Sequence, residues 1–198
     1  MTEEGKVVYL DNNATTRIAP EVVEAMTPYL VDLYGNPSSM HTFGGQVGSA
    51  VKEAREQVAA LLGCHVDEVT FTSCGTESDS TAVLSALRSF PEKRHVIKTR
   101  VEHPAIKNLC ENISTLSGHK YRVTRLKVSD DGMIDMDEYR EALSDDTAIV
   151  SVMWANNETG VIFPIPEMAR MAKERGILFH TDAVQAVGKI PIDLDSLD

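Results

Sequence analysis

The sequence predicts an α/β protein in which a mostly parallel sheet forms the middle of three layers, with helices on both faces. Two observations support this fold class. Segments with strand character alternate with segments whose apolar residues recur every three or four positions, which is the pattern of βαβ units. In addition, residues 147–154 are almost continuously apolar, as is typical of a central strand that is buried on both faces.

Three of the predicted helices, over 21–33, 47–62 and 165–172, have a periodic apolar face, and several helices have a recognisable first or last residue. The first follows Pro20, and the second ends at Gly63, because glycine readily adopts the left-handed conformation of a helix C-terminus. A later helix begins at Pro104, since proline is well tolerated at the first helical position. In chain order, the predicted helices cover residues 21–33, 47–62, 76–90, a segment from 104 onward, 135–143 and 165–172.

The predicted strands are short and rich in apolar residues. They cover residues 68–73, 95–99, 121–128, 147–154 and 177–180. Because a helix separates each strand from the next, we expect consecutive strands to run parallel.

Composition and charge exclude several classes of protein. The chain has 198 residues, 42% hydrophobic and 25% charged, which is the balance of a globular protein. A net charge of −11 argues against a nucleic-acid partner, and no apolar run approaches the roughly 20 residues of a membrane span. The acidic first residues do not resemble a signal peptide, so we expect a cytoplasmic protein. Three cysteines without a Cys-x-x-Cys pair predict neither a disulfide framework nor a zinc site.

The first candidate binding residues, Gly75 and Thr76, follow the strand predicted over 68–73. Ligands of open α/β sheets bind at the carboxyl ends of the strands, and free N–H groups at a helix N-terminus suit a phosphate. The alternative is a simple helix cap, in which Thr76 is paired with Asp79 three residues later.

His103 follows the strand predicted over 95–99 and directly precedes Pro104. A histidine at a helix N-terminus tends to stay neutral, so this imidazole suits ring stacking or proton transfer. The alternative is a histidine that only caps the helix.

Two further strand ends carry polar side chains. Asn156 and Asn157 follow the apolar strand and suit hydrogen bonding to a planar ligand, although Gly160 also fits a simple Asx turn. Asp182 follows the last predicted strand, where a carboxylate is costly unless a cation pairs with it. His180 and Asp182 could hold a metal, but no third ligand has a recognisable spacing, so we predict no metal site.

A phosphate site, an imidazole, an amide and a carboxylate are therefore expected at one edge of the sheet. Pyridoxal 5′-phosphate (PLP) has a phosphate, a ring hydroxyl and a ring nitrogen, and it would use all four groups. Asp182 would keep the pyridine nitrogen protonated, which makes the ring an electron sink.

Six ordered segments resemble the cysteine desulfurases of the class V aminotransferase group, most closely those of the nitrogen-fixation type. They are residues 9–16 (YLDNNATT), 35–41 (GNPSSMH), 71–79 (FTSCGTESD), 102–104 (EHP), 154–160 (WANNETG) and 179–188 (FHTDAVQAVG). The resemblance implies a PLP-dependent transferase fold of type I in a homodimer, with residues 1–15 as an N-terminal arm and 16–198 as the first part of the large domain. It also implies conversion of L-cysteine to L-alanine, with sulfur passed as a persulfide to an iron–sulfur scaffold protein for nitrogenase-type cluster assembly.

The resemblance also implies individual roles. Gly75 and Thr76 would bind the cofactor phosphate, and His103 would stack on the ring and act in catalysis. Asn157 would lie near the ring hydroxyl, Asp182 at the pyridine nitrogen and Gln185 at the ring oxygen. Asn12, Ala14 and Thr15 would lie near the substrate.

One departure from the family pattern concerns the covalent chemistry. The family's Schiff-base lysine lies in a Ser-x-His-Lys type motif that would follow Asp198, and its persulfide cysteine lies further on. Lys189 does not match that motif, and none of the three cysteines, Cys64, Cys74 and Cys110, matches the persulfide loop. We therefore hypothesise that the sequence is an N-terminal half that does not turn over cysteine alone.

Two other readings stay open. One is a related class V enzyme, such as a selenocysteine lyase or an aminotransferase. The other is a non-catalytic half that complements a separate chain. A nicotinamide-binding domain is disfavoured, because no Gly-x-Gly-x-x-Gly follows the first strand.

Overall fold

A computed structural model describes residues 7–116 and 120–197. The helices are α1 (Pro20–Val31), α2 (Thr42–Leu62), α3 (Gly75–Ser89), α4 (Pro104–Leu116), α5 (Met136–Ala142) and α6 (Ile165–Lys173). The strands are β1 (His95–Thr99), β2 (Arg122–Leu126), β3 (Thr147–Ser151) and β4 (Leu178–His180). Across the described residues, no helix is both long enough and apolar enough to cross a bilayer.

Internal contacts divide the chain into two units, Met1–Val69 and Thr70–Asp198. The first unit contains α1, α2 and a 3₁₀ turn over Val66–Glu68. The second contains the sheet and the other four helices named above. An arm that ends at residue 15 remains a prediction.

Helix α2 ends where the sequence predicts but begins earlier. Gly63 has a φ of 64°, which confirms the expected left-handed C-terminus. The helix starts at Thr42 because the His41 ring accepts a hydrogen bond from the Gly44 amide at 3.1 Å. A Cβ atom at Gly44 would lie 2.6 Å from the Asn36 carbonyl oxygen, so glycine is needed for close packing on the preceding loop. Gly44 is thus part of the packing at the start of this helix.

The strand predicted over residues 68–73 is wrong. Val66–Glu68 form a 3₁₀ turn, which a reciprocal cap closes: the Glu68 carboxylate accepts from the His65 amide at 2.7 Å. The chain after this turn pairs with no strand of the described sheet, and Phe71 is 48% exposed. The local cap therefore fixes a turn where the apolar pattern suggested a strand.

Among its described residues, the second unit contains a four-stranded sheet in the order β2-β1-β3-β4, and every pair is parallel. This confirms the predicted parallel sheet. All five residues of β3 are buried, as expected for a central strand, although its ladder ends at Ser151 rather than at residue 154. In register, Ser151 pairs with Lys98 of β1 and with His180 of β4.

Helices cover both faces of the sheet, which confirms the three-layer architecture. Neighbouring strand residues point to opposite faces, so Val96 and Ile149 belong to one core cluster, and Ile97 and Val150 to the other. The first cluster is completed from α3 and α4 by Val83, Ala86, Leu87, Ile106 and Cys110. The second is completed from α5 and α6 by Tyr139, Ile165, Met168 and Ala172, among others. This framework fixes the strand ends that carry the candidate site.

Candidate functional site

Three chemically active side chains meet at the carboxyl edge of the sheet. A carboxylate oxygen of Asp79 on α3, a ring nitrogen of His103 after β1 and a carboxylate oxygen of Asp182 after β4 all lie within 4.8 Å of one another. His103 and Asp182 were predicted to converge, and the structure brings them together. The sequence pattern predicts Asp79 only as part of a helix cap, so its place in this cluster is not expected from the sequence. One signal could have identified it: Asp79 lies one helical turn after Gly75 and therefore on the same face of α3.

The start of α3 is open to a ligand. Its N-cap residue is Cys74, and among the described residues no side-chain oxygen accepts a hydrogen bond from the amides of the first turn. The capping alternative for Thr76 and Asp79 is therefore wrong, and the Asp79 carboxylate instead faces His180. Backbone N–H groups at an uncapped helix N-terminus can bind a phosphate.

The packing of the described residues does not explain why residue 75 is a glycine. A Cβ atom built on it would meet only Val184 Cγ2, at an ordinary 3.7 Å, and its φ does not lie in the left-handed region. The glycine leaves space for a group that approaches the backbone closely, as the predicted phosphate site requires. The exposed Thr76 follows it in the first turn.

The exposed Cys74 thiol shows the electrostatic environment at the start of α3. Its pKa is lowered from the usual value, chiefly by the Glu77 amide and then by the Ser73 hydroxyl. The pKa of the neighbouring Glu77 carboxyl is also lowered, because it accepts hydrogen bonds from the hydroxyl and the amide of Ser73. The N–H groups at this terminus thus favour negative charge.

His103 both caps a helix and belongs to the site. Its Nδ1 accepts a hydrogen bond from the Ala105 amide at 3.2 Å, at the start of α4. In the neutral ring this contact leaves the proton on Nε2. The two readings of the sequence are therefore compatible, because capping sets the tautomer of a ring that lies beside Asp79 and Asp182.

Asn156 and Asn157 have separate roles. Asn156 is buried, and its Oδ1 accepts from Thr159 N at 2.9 Å, Glu158 N at 3.0 Å and the Thr159 hydroxyl at 3.1 Å. This is the Asx turn of the alternative reading, followed by Gly160 with a φ of 75°. Asn157 is half-buried and donates to the Glu158 carboxylate at 3.1 Å. Because the Asx turn occupies Asn156, the predicted ligand contact falls to Asn157, and that role remains a prediction.

The loop after β4 is held by backbone hydrogen bonds. Trp154 N donates to the Asp182 carbonyl at 2.9 Å, and Val184 N donates to the Asp182 carboxylate at 3.1 Å. Gln185 follows in the same loop and accepts a hydrogen bond from the Lys189 ammonium group. Lys189 is exposed, and the expectation that it is not the Schiff-base lysine remains a prediction.

The predicted substrate residues lie in the other unit. Asn12 and Ala14 belong to an exposed turn, in which the Ala14 amide donates to the Asp11 carbonyl at 3.2 Å. The Thr15 hydroxyl is hydrogen-bonded to the Tyr9 hydroxyl. The proposed place of this turn near the substrate remains a prediction.

The donor set fits a phosphate-bearing pyridine ring. An uncapped helix start and Gly75 suit the phosphate, Asp182 suits a protonated ring nitrogen, and the imidazole of His103 suits the face of the ring. A carboxylate pair with one imidazole could also ligate a metal ion, with Asp79 as the third ligand that the sequence spacing did not reveal.

Comparison with known proteins gives consistent matches. A model of the family described as aminotransferase class-V matches residues 8–198. A cysteine desulfurase of Trichormus azollae is 60% identical over 188 residues, which cover 95% of this chain and 46% of the relative. The cysteine desulfurase NifS of Azotobacter vinelandii is also 60% identical over 188 residues, which cover 94% of this chain and 46% of the relative.

Solved structures show the same fold. A NifS-like protein has a TM-score of 0.91 at 38% identity, over 96% of this chain and 52% of its own. SspA, solved in complex with cysteine, has a TM-score of 0.89 at 34% identity, over 96% of this chain and 54% of its own. The chain spans about half the length of the curated relatives it matches and corresponds to their N-terminal part. By this sequence match and by its fold, the chain belongs to the class-V aminotransferase family.

Proposed function

We propose that this chain supplies the non-covalent cofactor site of a PLP-dependent cysteine desulfurase. The observation that carries the proposal is the convergence of His103 and Asp182 beside the uncapped start of α3. Relatives at 60% identity are named cysteine desulfurase, and members of this family depend on PLP.

Each residue acts on a different part of the cofactor. The first turn of α3, with Gly75 and Thr76, binds the phosphate through backbone N–H groups and a hydroxyl. Asp182 would hold the proton on the ring nitrogen, and Asn157 and Gln185 would hydrogen-bond the ring oxygen. When bound, PLP supplies an electron sink for the bonds of the substrate α-carbon.

His103 contributes a proton-transfer group. Its Nδ1 is occupied by the Ala105 amide, so proton exchange takes place at Nε2. With PLP bound, the imidazole would stack on the cofactor ring. Asn12, Ala14 and Thr15 are assigned to the substrate side by the family resemblance.

The proposed net reaction converts L-cysteine to L-alanine and leaves the sulfur on a cysteine thiol as a persulfide. An iron–sulfur scaffold protein then accepts the sulfur, in cluster assembly of the nitrogenase type. The NifS name of one relative and the cysteine bound to SspA support this substrate. We further propose a cytoplasmic homodimer, which cell fractionation and analytical ultracentrifugation test.

A chimera tests the function directly. The chain replaces the corresponding N-terminal part of Azotobacter vinelandii NifS, and alanine and sulfide are measured after addition of L-cysteine and excess dithiothreitol, which reduces the persulfide and releases its outer sulfur as sulfide. We expect PLP-dependent release of both products. His103→Gln in the chimera should lower the rate by about a hundredfold or more, as for loss of a general acid–base. A folded chimera that binds PLP but releases no alanine would contradict the proposal.

Substrate choice separates the related class V activities. Alanine release without an added 2-oxo acid excludes an aminotransferase, and a strong preference for selenocysteine over cysteine would indicate a selenocysteine lyase. The 198-residue chain alone, given PLP and L-cysteine, is expected to release neither product. If the chain is a complementing half, activity should appear only when the second polypeptide is added.

A further inference from the structure

Asp79 is a buried carboxylate with a defined partner. It lies on α3 and is 5% exposed. Its Oδ1 lies 3.4 Å from Nε2 of His180, the last residue of β4. A buried carboxylate needs such a partner, because removal of its hydration is costly. None of the roles in the proposed function uses this pair.

The other ring nitrogen of His180 is also engaged. Its Nδ1 lies 2.9 Å from the Ser151 hydroxyl oxygen on the neighbouring strand β3. One neutral tautomer satisfies both contacts: the Ser151 hydroxyl donates to Nδ1, and the Nε2–H group points to Asp79. A chain of polar groups thus runs from β3 through β4 to α3.

The connected side chains of Ser151, His180 and Asp79 lie next to Asp182. His180 and Asp182 are two residues apart, and Asp79 lies close to both side chains. An Asp79 oxygen and an Asp182 oxygen lie within 4.8 Å of each other. Two carboxylates at this separation repel each other, and a cation beside them relieves the repulsion. Asp79 therefore contributes to the field that a ring nitrogen meets at Asp182.

We propose that Asp79 is a positioning residue that acts through His180: it fixes the end of β4 and adds negative charge behind Asp182, so that the site selects a ring with a protonated nitrogen. The inference rests on the proposed function, because it names the charge state of the ring that this site binds. It assigns no catalytic role to Asp79.

Binding of two matched ligands tests the proposal. The first is 4′-deoxypyridoxine 5′-phosphate, which lacks the aldehyde and so forms no adducts with surface lysines. The second is its 1-deaza analogue, in which a C–H group replaces the ring nitrogen. Dissociation constants are measured by equilibrium dialysis for the 198-residue chain, for Asp79→Asn, and for Asp145→Asn, an exposed control with the same charge change.

We expect Asp79→Asn to weaken binding of the nitrogen-containing ligand by about tenfold, the equivalent of one pKa unit, and to leave binding of the deaza analogue unchanged. The Asp145→Asn control should bind both ligands as the unaltered chain does. If binding of both ligands is weakened equally, the role of Asp79 is merely structural. If binding of the first ligand is unchanged, Asp79 has no role in recognition. Either result overturns the proposal.

A second measurement needs no ligand. In ¹⁵N spectra of the chain with labelled histidine, His180 should carry its proton on Nε2, and Asp79→Asn should reduce that preference. A proton on Nδ1, or no change in the variant, overturns the Asp79–His180 pairing. If the unaltered chain binds neither ligand, the proposed cofactor site fails, and the histidine spectrum still decides the pairing.

Discussion

Both carboxylate oxygens of Glu102 lie within hydrogen-bonding distance of the Met153 backbone amide, at 3.1 and 3.3 Å. The same carboxylate accepts from the hydroxyl and the amide of Thr99, so it ties the end of β1 to the chain that follows β3. Glu102 is 6% exposed and directly precedes His103. One buried acid thus joins two of the strand ends that form the site.

The first prediction concerns the titration of Glu102. Burial raises its pKa from 4.5 to about 7, although the bonds from Thr99 and Met153 oppose the shift. The unfolded chain releases this proton at lower pH, so Glu102 lowers the free energy of unfolding as the pH rises from 4.5 to about 7, by up to about 3 kcal/mol.

The variant Glu102→Gln should therefore gain stability relative to the unaltered chain across this pH range. Urea unfolding at several pH values from 4 to about 8 measures the difference. A difference that does not vary with pH would show that Glu102 titrates normally in the fold.

The second prediction concerns His95, which is fully buried at the start of β1. Its ring nitrogens lie 2.8 Å from the hydroxyls of Thr147 and Thr124, and Arg122 approaches at 3.0 Å. Burial, and then the charge of Arg122, lower the pKa of His95 from 6.5 to about 4. The stability that depends on the neutral ring is present above pH 6.5 and is lost as the pH falls through about 4.

His95→Gln should consequently be less stable than the unaltered chain at pH 7, because buried hydrogen bonds are lost. That deficit should shrink by up to about 3 kcal/mol as the pH falls from 6.5 to about 4. Glu102 and His95 change the free energy of unfolding in opposite directions over nearly the same pH range. Substitution of either residue should therefore reveal the pH dependence of stability that the other contributes. A deficit that stays constant on acidification would contradict the shift assigned to His95.

The third prediction uses cysteine reactivity to detect an anion at the start of α3. Cys74 is exposed and has a lowered pKa, whereas burial raises the pKa of Cys110 to about 11. Iodoacetamide at pH 7 should therefore modify Cys74 well before Cys110, because the thiolate is the reactive form. Peptide mass mapping measures both rates in one sample.

Bound PLP should slow the modification of Cys74, because its phosphate would occupy the adjacent helix start. Asp145→Asn, which lies outside the site, should show the same protection. Protection of Cys74 to the same degree by PLP and by pyridoxal without phosphate would place the phosphate elsewhere.

The fourth prediction separates the two neighbouring asparagines. Asn156→Ala removes the acceptor of the Asx turn and the donor to the Val101 carbonyl at 3.3 Å, so it should cost about 2 kcal/mol of stability. Asn157→Ala should change stability by no more than about 0.5 kcal/mol. It should nevertheless weaken PLP binding by about threefold to tenfold through loss of one hydrogen bond.

Urea unfolding and equilibrium dialysis on the same two preparations decide this point. Each variant is the control for the other, because both remove an amide from the same loop. If Asn157→Ala were the less stable protein and bound PLP normally, the assignment of the two residues would be reversed.

Much of the fold was predictable because local and tertiary preferences agree. The strand 95–99 was predicted with its observed bounds, and helix α4 begins at Pro104 as expected. The segment 68–73 was misread because its apolar residues outweighed the signal of Glu68, whose side chain closes a turn. Apolar alternation shows what a segment can bury, but it does not show whether a neighbouring strand is there to pair with it.

The candidate site was only partly predictable. Residues that follow strands, such as His103 and Asp182, were found because the carboxyl ends of parallel strands meet at one edge. Asp79 and Glu102 were not singled out, because their importance depends on burial and on partners far away in the sequence. His180 was noticed only as a neighbour of Asp182, although its partner Asp79 lies about a hundred residues earlier.

The hydrogen bond from the Trp154 amide to the Asp182 carbonyl has a thermodynamic consequence for recognition. The Trp154 amide holds the main chain of Asp182, and the Val184 amide holds its carboxylate, so few of its torsions stay free. A ligand that reaches this carboxylate therefore freezes few degrees of freedom, and the site is preorganised before the ligand arrives.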